Sequence, residues 1–325
     1  MTRSIHLIIN PHAGRGRARK LLPSVMAGLR AGLTDIDLQV QQTSSPTDAK
    51  ARVKAVAERL LSNLDVANPP ALIMMGGDGM VSLGLNAVAG TPVRLGVIPA
   101  GTGNDFSRGM GLPLTPEGAV AGIVADLEHC VDLMRLDGDE IIGGAPTRWV
   151  GSVLSTGYDA MVNLRTNRRT VNIGALSYGM DALIELARFE PMNYRLTLDG
   201  VRRDELAMFI CIGNAGYIGG GMHILPDASP TDGMLDVTIV HPVPRTTLLR
   251  LLPRTYNGAF AKDPAVEQLR VRSAVVDGDR MYGMADGEEV GGVPLTCSVV
   301  PNACWLMGVK PEPTDAGPDE KRHDS

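Results

Sequence analysis

The sequence predicts an α/β domain followed by a mainly β domain. The chain has 325 residues, 44% of them hydrophobic, which is enough to bury two cores. In the first third, short apolar runs alternate with longer stretches of helical spacing. This alternation indicates a parallel sheet covered by helices on both faces, a three-layer arrangement. After about Asp132 the pattern changes to strand-like runs separated by Gly, Asp and Pro turns, which predicts a β-rich second domain.

The apolar runs of the first domain have the length of strands. They predict strands at Ile5–Ile9, Leu38–Gln42, Leu72–Met75 and Leu95–Ile98. Helical spacing of apolar residues predicts helices at Lys20–Leu33 and Thr47–Leu64. We expect the second helix to begin at Thr47-Asp48, which follows Pro46.

The second domain combines strands with some helix. The predicted strands are Trp149–Leu154, Tyr194–Leu198, Leu206–Ile212 and Leu235–Val240. The predicted helices are Ile173–Phe189 and Arg245–Tyr256. Residues 311–325 are rich in Pro, Gly and charge and have no aliphatic side chain larger than Ala, so we predict a disordered tail.

Composition excludes several classes of protein. The longest apolar run, Leu206–Ile212, is far shorter than the roughly 18 residues of a membrane span. The N-terminus has no signal-peptide pattern, so we expect a cytosolic protein. No Cys-x-x-Cys or His-x-x-x-His pair suggests a zinc site. A net charge of −5 argues against broad nucleic-acid binding.

Two local basic clusters stand out against this acidic background. They consist of Arg15, Arg17, Arg19 and Lys20, and of Arg165, Arg168 and Arg169. Each cluster is typical either of contact with phosphate or anionic lipid, or of a solvated face.

Three glycine-rich loops follow predicted parallel strands. They are residues 10–16 (NPHAGRG), 76–79 (GGDG) and 99–105 (PAGTGND). Ligands of open α/β sheets bind beyond the carboxyl ends of the strands, where glycines let main-chain N–H groups approach phosphates. One such loop is usually only a turn, but three at one edge of a sheet favour a nucleotide site.

Two common nucleotide motifs are absent. The Walker A frame would need Gly-Lys-Ser/Thr, whereas Lys20 stands between Arg19 and Leu21. The dinucleotide pattern G-x-G-x-x-G/A fails at its last position, which holds Arg19, Ser82 or Phe106 in the three loops.

The three loops, with the motifs that follow them, resemble the diacylglycerol kinase catalytic family, which includes bacterial lipid kinases and sphingosine kinases. The resemblance is closest to the actinobacterial diacylglycerol kinases and reaches about Val309. The later matching segments are residues 219–221 (GGG), 226–228 (PDA), 231–233 (TDG) and 286–288 (DGE). The GGDG loop alone is shared with NAD kinases.

The resemblance implies a fold similar to that of NAD kinases and diacylglycerol kinases. An α/β ATP-binding domain would occupy residues 1–133 and be completed by a returning strand at 303–310. A β-rich, sandwich-like lipid-substrate domain would occupy residues 134–302. ATP would lie in the cleft between the domains.

The resemblance also implies the ATP contacts. They would come from Asn10, Pro11, His12, Ala13, Gly14, Thr43, Gly76, Gly77, Asp78, Gly79, Met80, Val81, Ser82 and Thr102. The family usually has Thr after GGDG, where this chain has Met80.

Acidic residues complete the expected site. Asp78, Asp105 and Asp132 each lie at or just beyond a strand-like run, and in the resembled family such aspartates hold Mg²⁺ through water. Phosphoryl transfer uses a metal to neutralise the phosphates and a group that accepts the substrate proton. The resemblance makes Glu288 the general base and Asp286 a helper of the metal, with Glu289 as the neighbouring candidate. The alternative for residues 286–288 is a solvated Asp-Gly hairpin turn.

The resemblance implies a second, structural Mg²⁺ site formed by Ser229, Asp232 and Met234; the alternative is an ordinary Asp-Gly turn. A lipid kinase must also reach its substrate, so we expect transient contact with the inner face of the plasma membrane. Candidate contacts are Tyr158–Leu164 and Leu183–Phe189, for which core packing is the other interpretation. The family suggests a homodimer.

The predicted activity is ATP-dependent phosphorylation of diacylglycerol to phosphatidic acid. Two alternatives remain. One is a kinase of another acceptor, either a sphingoid base or NAD; loop 99–105 and residues 286–288 disfavour NAD. The other is a non-catalytic regulator that binds nucleotide or lipid, which would be expected to have lost one of these acids.

Overall fold

The computed structural model of the chain describes residues 2–139, 141–142, 147–157, 190–279 and 281–308. Several predicted features lie outside these residues. They are the helix at Ile173–Phe189, the candidate membrane contacts at Tyr158–Leu164 and Leu183–Phe189, the basic cluster at residues 165–169, and the tail at residues 311–325.

The helices in these ranges are α1 Ala13–Gly32, α2 Pro46–Ser62, α3 Asp78–Val88, α4 Asp105–Gly109, α5 Pro116–Val124 and α6 Arg245–Thr255, with a 3-10 turn at Ala259–Lys262. The strands are β1 Arg3–Ile9, β2 Ile36–Gln42, β3 Ala71–Gly76, β4 Arg94–Pro99, β5 Glu128–Asp137, β6 Thr147–Val150, β7 Val153–Gly157, β8 Met192–Leu198, β9 Val201–Ala207, β10 Phe209–Gly213, β11 Tyr217–Ile218, β12 Met222–His223, β13 Leu235–Val240, β14 Val266–Val271, β15 Ser273–Gly278, β16 Tyr282–Ala285, β17 Glu288–Gly292 and β18 Leu295–Met307.

The N-terminal part is a parallel sheet between two layers of helix. Strands β2, β1, β3 and β4 lie side by side in that order and are all parallel, which confirms the four predicted strands. Leu7 packs with residues of α1 on one face, and Ile8 packs with residues of α2 and α3 on the other. Alternate side chains of β1 therefore enter two different cores, as expected for a strand covered on both faces.

Strand β18 connects this parallel sheet to the C-terminal part. It is parallel to β4 over Trp305–Met307 and antiparallel to β15 over Leu295–Ser298. Strand β5 also pairs with β18, so both parts of the chain share one ten-stranded sheet.

A second sheet of six antiparallel strands, in the order β14-β13-β10-β7-β16-β17, belongs to the C-terminal part. Leu196 and Val276 of the first sheet share a buried apolar cluster with Ile210 and Val237 of the second. The two sheets thus form the predicted sandwich-like, β-rich domain. Among the described helices, none has both the length and the hydrophobicity to cross a bilayer.

Two predicted strands are wrong because each contains a break. Trp149–Leu154 is interrupted at Gly151-Ser152, whose main-chain N–H groups donate to the carboxylate of Asp286 and not to a neighbouring strand. Leu206–Ile212 is interrupted at Met208, where the chain passes from β9 in the first sheet to β10 in the second. A continuous apolar run does not reveal a change of partner strand.

The predicted helix start at Thr47-Asp48 is also corrected. Helix α2 begins at Pro46, and the Ser45 hydroxyl caps it by accepting a 3.1 Å hydrogen bond from the Asp48 N–H. The helix predicted at Arg245–Tyr256 is confirmed as α6.

Asp132 connects three segments inside the molecule. It lies within β5 and is 3% exposed. Its Oδ2 accepts from the N–H of Gly233 at 2.7 Å, and its Oδ1 accepts from the N–H of Asn302 at 2.8 Å. The Asp132 N–H donates to the carbonyl of Pro230. The carboxylate therefore holds the turn before β13 and the irregular part of β18 against β5.

Asp132→Ala is expected to lower the free energy of unfolding by about 2–4 kcal/mol, because two main-chain N–H groups lose a charged acceptor. Urea unfolding measures the loss. Asp204→Ala removes an exposed ion pair with Arg202 and serves as the control, with a change below about 0.5 kcal/mol. Equal losses in the two variants would contradict the structural role of Asp132.

Candidate active site

The three glycine-rich loops meet at the carboxyl edge of the parallel sheet. They surround an open cleft of about 560 Å³, within the roughly 300–1,000 Å³ of most small-molecule sites. Many residues predicted to contact nucleotide or to act in catalysis line it: Asn10, His12, Ala13, Gly14, Thr43, Gly77, Asp78, Gly79, Met80, Thr102 and Glu288.

Close main-chain contacts make glycine necessary in these loops. A Cβ on Gly101 would lie 2.5 Å from the Cα of Gly77, and a Cβ on Gly14 would lie 2.3 Å from the carbonyl oxygen of Ala100. The N–H groups of Ala100 and Gly101 both donate to the carbonyl of Gly76. The second and third loops are therefore in direct contact and form one wall of the cleft.

The first loop turns sharply before α1 becomes regular. Gly14, Arg15 and Gly16 all have positive φ angles, of 57°, 59° and 84°. The side-chain oxygen of Asn10 accepts from the His12 N–H at 3.0 Å and shapes this turn. The basic residues that follow, Arg15, Arg17, Arg19 and Lys20, are exposed.

Helix α3 points its N-terminus into the cleft. It begins at Asp78, directly after the capping Gly77, and both residues line the cleft. The first N–H groups of a helix have no partner within the helix and attract anions. The geometry thus suits the phosphates of a nucleotide.

Asp78 and Asp105 form an acidic pair at the rim of the cleft, with Asp78 in its lining. A Cβ on Gly103 would meet Asp78 Oδ2 at 3.0 Å and Asp105 Oδ2 at 3.4 Å, so the two carboxylates are neighbours. Asp78 accepts from the N–H of Phe106, and Asp105 accepts from the N–H of Gly220 at 2.7 Å. Burial raises the pKa of Asp105 to about 6, with a further contribution from the charge of Asp78. Burial also raises the pKa of Asp78.

The hairpin between β16 and β17 brings Glu288 to the cleft. Asp286 and Gly287 both have positive φ, 50° and 82°, as in a two-residue type I′ turn. Glu288 Oε1 lies 3.4 Å from the position of a Cβ on Gly79, and Glu288 Oε2 accepts a 2.7 Å hydrogen bond from Arg148. The segment is therefore both an Asp-Gly hairpin and a source of a carboxylate in the cleft. Glu289 is not among the lining residues.

Asp286 lies beside the cleft and holds the hairpin in place. Its carboxylate accepts from the N–H groups of Gly151 at 3.2 Å and Ser152 at 2.9 Å. Desolvation raises its pKa to about 6.

Other predicted site residues stand outside the lining. They are Pro11, Gly76, Val81, Ser82, Asp105, Asp132 and Asp286. The buried Ser82 accepts from Arg148 through its hydroxyl. Both oxygens of Asp132 are occupied by main-chain N–H groups, as described above, so the structure does not add this residue to the acidic pair.

The prediction missed part of the cleft. The missed lining residues are Ser44, Ser45, Pro46, Ala49, Leu83, Gly101 and Gly103. Gly101 and Gly103 stand in the same loop as Thr102, and Ser44 adjoins Thr43, so their position in the sequence was the available signal. Arg148 carried no motif.

At the second predicted Mg²⁺ site, the Asp232 carboxylate has partners within the protein, and the metal site stays a prediction. Asp232 Oδ1 accepts from the Met234 N–H, and Asp232 Oδ2 forms a close ion pair with Arg270. The Ser229 hydroxyl lies 3.3 Å from that of Thr231. The guanidinium of Arg270 supplies the positive charge that a metal would bring to Asp232.

Comparison with known proteins identifies two family domains. Residues 4–136 match the diacylglycerol kinase catalytic domain, and residues 152–308 match the YegS C-terminal NAD kinase beta sandwich-like domain. The chain is 35% identical to a diacylglycerol kinase of Mycobacterium tuberculosis over 302 residues, which cover 92% of this chain and 93% of that protein. It is 30% identical to a YegS-like lipid kinase of Stenotrophomonas maltophilia over 249 residues, 73% of this chain and 74% of the other.

Solved structures show the same fold. A diacylglycerol kinase from Bacillus anthracis superposes with a TM-score of 0.68 at 19% identity, covering 94% of this chain and 96% of that one. A yeast NADH kinase superposes with a TM-score of 0.50 at 10% identity, covering 94% and 83%. The family implies ATP as the co-substrate, in agreement with the cleft. The chain belongs to the diacylglycerol kinase family of lipid kinases.

Proposed function

We propose that this lipid kinase transfers the γ-phosphate of ATP to the hydroxyl of diacylglycerol, with Glu288 as the general base. The observation that carries the proposal is the position of Glu288. This residue comes from the C-terminal part of the chain, yet it lies beside Gly79 of the second glycine-rich loop, residues 76–79, which we call the phosphate-binding loop. A base there stands next to the expected position of the γ-phosphate.

In the proposed reaction, the loops and the N-terminus of α3 bind the triphosphate through main-chain N–H groups. Glu288 accepts the proton of the lipid hydroxyl while the hydroxyl oxygen attacks the γ-phosphorus. The new oxygen–phosphorus bond forms as the bond to the β-phosphate oxygen breaks. ADP and phosphatidic acid leave, and Glu288 then loses its proton to water.

The acidic pair suits a divalent cation. Asp105 Oδ1 is buried and has no hydrogen-bond partner, and the other oxygen of this carboxylate, Oδ2, lies near Asp78 Oδ2 across Gly103. No three His, Cys, Asp or Glu side chains in the described ranges are grouped as metal ligands. Mg²⁺ often binds through one or two carboxylates, with water and phosphate oxygens completing its shell. In our proposal Asp78 and Asp105 hold Mg²⁺, which would supply charge neutralisation at the phosphates.

Diacylglycerol remains in the bilayer, so the proposal includes transient contact with the membrane surface. The amino acids that make this contact, the boundary between the two functional domains and the predicted homodimer stay predictions.

Glu288→Gln is expected to lower kcat for diacylglycerol roughly 10²- to 10⁴-fold, because the lipid hydroxyl loses its proton acceptor. The KM for ATP should change little, since the glutamine side chain has the same size. Transfer of labelled γ-phosphate to diacylglycerol in mixed micelles measures both quantities.

Glu289→Gln is the matched control, because it removes the neighbouring carboxylate outside the cleft, and it should retain activity. Sphingosine and NAD are tested as acceptors in parallel. Transfer to either of them, with none to diacylglycerol, would contradict the proposed substrate. Full activity of Glu288→Gln would contradict the base.

The raised pKa of Asp105 predicts a pH-dependent stability. Its unfolded-state pKa is about 4, whereas burial raises the folded-state pKa to about 6. The folded protein therefore binds this proton more tightly than the unfolded chain. The resulting stabilisation is complete below about pH 4 and is lost as the pH rises through about 6.

Asp105→Asn removes this titration. The unfolding free energy of the variant, relative to wild type, should rise by about 2 kcal/mol between pH 4 and pH 7 without added metal. Urea unfolding across this pH range measures the difference, with Asp204→Asn as an exposed control. A difference in unfolding free energy that does not depend on pH would contradict the raised pKa of Asp105. If Asp105 holds Mg²⁺, adding Mg²⁺ at pH 7 should stabilise wild type more than Asp105→Asn.

A further inference from the structure

Arg148 joins the two parts of the chain at the proposed general base. Its Nη2 donates to Glu288 Oε2 at 2.7 Å and to the Ser82 hydroxyl at 3.3 Å. The Arg148 side chain is only 14% exposed, whereas that of Glu288 is 49% exposed. A well-packed guanidinium thus holds a carboxylate that would otherwise be free to move.

The main chain around Arg148 is fixed to helix α3. The Trp149 N–H donates to the Asn86 side-chain oxygen at 2.8 Å, and the Asn86 side-chain nitrogen donates to the Trp149 carbonyl at 2.9 Å. Thr147 donates to Asp137 at 2.5 Å from the other side. Since α3 begins at Asp78 of the phosphate-binding loop, Arg148 has a set position relative to that loop.

The same segment holds the 286–288 hairpin at two points. The N–H groups of Gly151 and Ser152 bind Asp286, while Arg148 binds Glu288. The hairpin is therefore clamped onto residues 148–152 at both of its acidic side chains. The pairing of β16 with β7 already holds the hairpin in the sheet, and these two contacts fix the orientation of its acidic side chains.

The clamp also determines which oxygen of Glu288 is presented to the reaction. Oε2 is engaged by Arg148, and Oε1 faces Gly79. A glutamate side chain has three rotatable bonds, and ordering it costs entropy that a fixed partner reduces. The ion pair therefore leaves Oε1 directed at Gly79, between the two parts of the chain.

We infer that Arg148 is a positioning residue, which orients Glu288 for proton abstraction from the acceptor hydroxyl. The inference rests on the proposed role of Glu288 as the base. Arg148 acts through Glu288 and through its anchor on α3, and it is not among the residues that line the cleft.

The test is a double-mutant cycle with wild type, Arg148→Ala, Glu288→Gln and the double variant, using full-length protein and labelled γ-phosphate transfer to diacylglycerol. Arg148→Ala should lower kcat roughly 10- to 100-fold, the size expected when a catalytic group is misplaced. The KM for ATP should stay within about two-fold, because the glycine loops are untouched. In the Glu288→Gln background Arg148→Ala should cause no further loss, since the group on which it acts is gone.

Two further measurements separate positioning from a structural effect. Guanidinium ion at a non-denaturing concentration should restore part of the kcat of Arg148→Ala, whereas sodium chloride of the same ionic strength should not. Arg148→Lys should remain impaired, because an ammonium cannot reproduce the contacts of a guanidinium fork to both Ser82 and Glu288.

Arg135→Ala is the matched control. Arg135 lies on the neighbouring strand and forms an ion pair with Asp137 at 2.9 Å, away from the cleft lining. Its removal should leave kcat unchanged, and thermal unfolding of all variants checks that each is folded.

The outcomes distinguish the inference from the function on which it rests. Full activity of Glu288→Gln would refute the base and, with it, the positioning role. An inactive Glu288→Gln together with a fully active Arg148→Ala would refute the positioning role alone. The positioning role alone is also refuted if Arg148→Ala lowers kcat by its full factor in the Glu288→Gln background. It is refuted as well if Arg148→Ala raises only the KM for ATP.

Discussion

The position of β18 between β4 and β15 is the constraint on which the site depends. Strand β18 pairs in parallel with β4, the last strand of the parallel sheet, and antiparallel with β5 and β15. It thereby fixes the β-sandwich beside the carboxyl edge of the parallel sheet. The 286–288 hairpin belongs to the second sheet, which packs against this ten-stranded sheet, and it lies beside Gly79. Because both parts of the chain share this strand, both can contribute residues to one site.

Close packing of glycines at that edge has a complementary role. Gly77 touches Gly101, and Gly14 lies against Ala100, so the main chains of the three loops are in close contact. Side chains here would force the loops apart. The acidic pair and the base then stand at the rim of a surface suited to phosphates. The raised pKa values of Asp105 and Asp286 are the electrostatic consequence of placing carboxylates in such a partly desolvated cleft.

The sequence was sufficient to predict the parallel sheet and the loops, for physical reasons. Strands buried on both faces are continuous apolar runs, and loops after parallel strands must meet at one edge. The breaks at Gly151-Ser152 and at Met208 could not be predicted, because hydrophobicity does not record which sheet a strand joins. The main-chain partners of Asp132 could not be predicted for a related reason, since an acid inside a strand can serve main-chain N–H groups as well as a metal. The role of Arg148 could not be predicted, because it arises from contacts with Ser82 and Glu288, which are distant in the chain.

We expect the three loops and Glu288 to form one site for the triphosphate. A crystal structure of the full chain with Mg²⁺ and a non-hydrolysable ATP analogue would test this. The triphosphate should lie between the loops at residues 10–14, 77–79 and 101–103, with its terminal phosphate beside Glu288 and the metal at Asp78 and Asp105. A nucleotide bound elsewhere, or a terminal phosphate directed away from Glu288, would contradict this expectation.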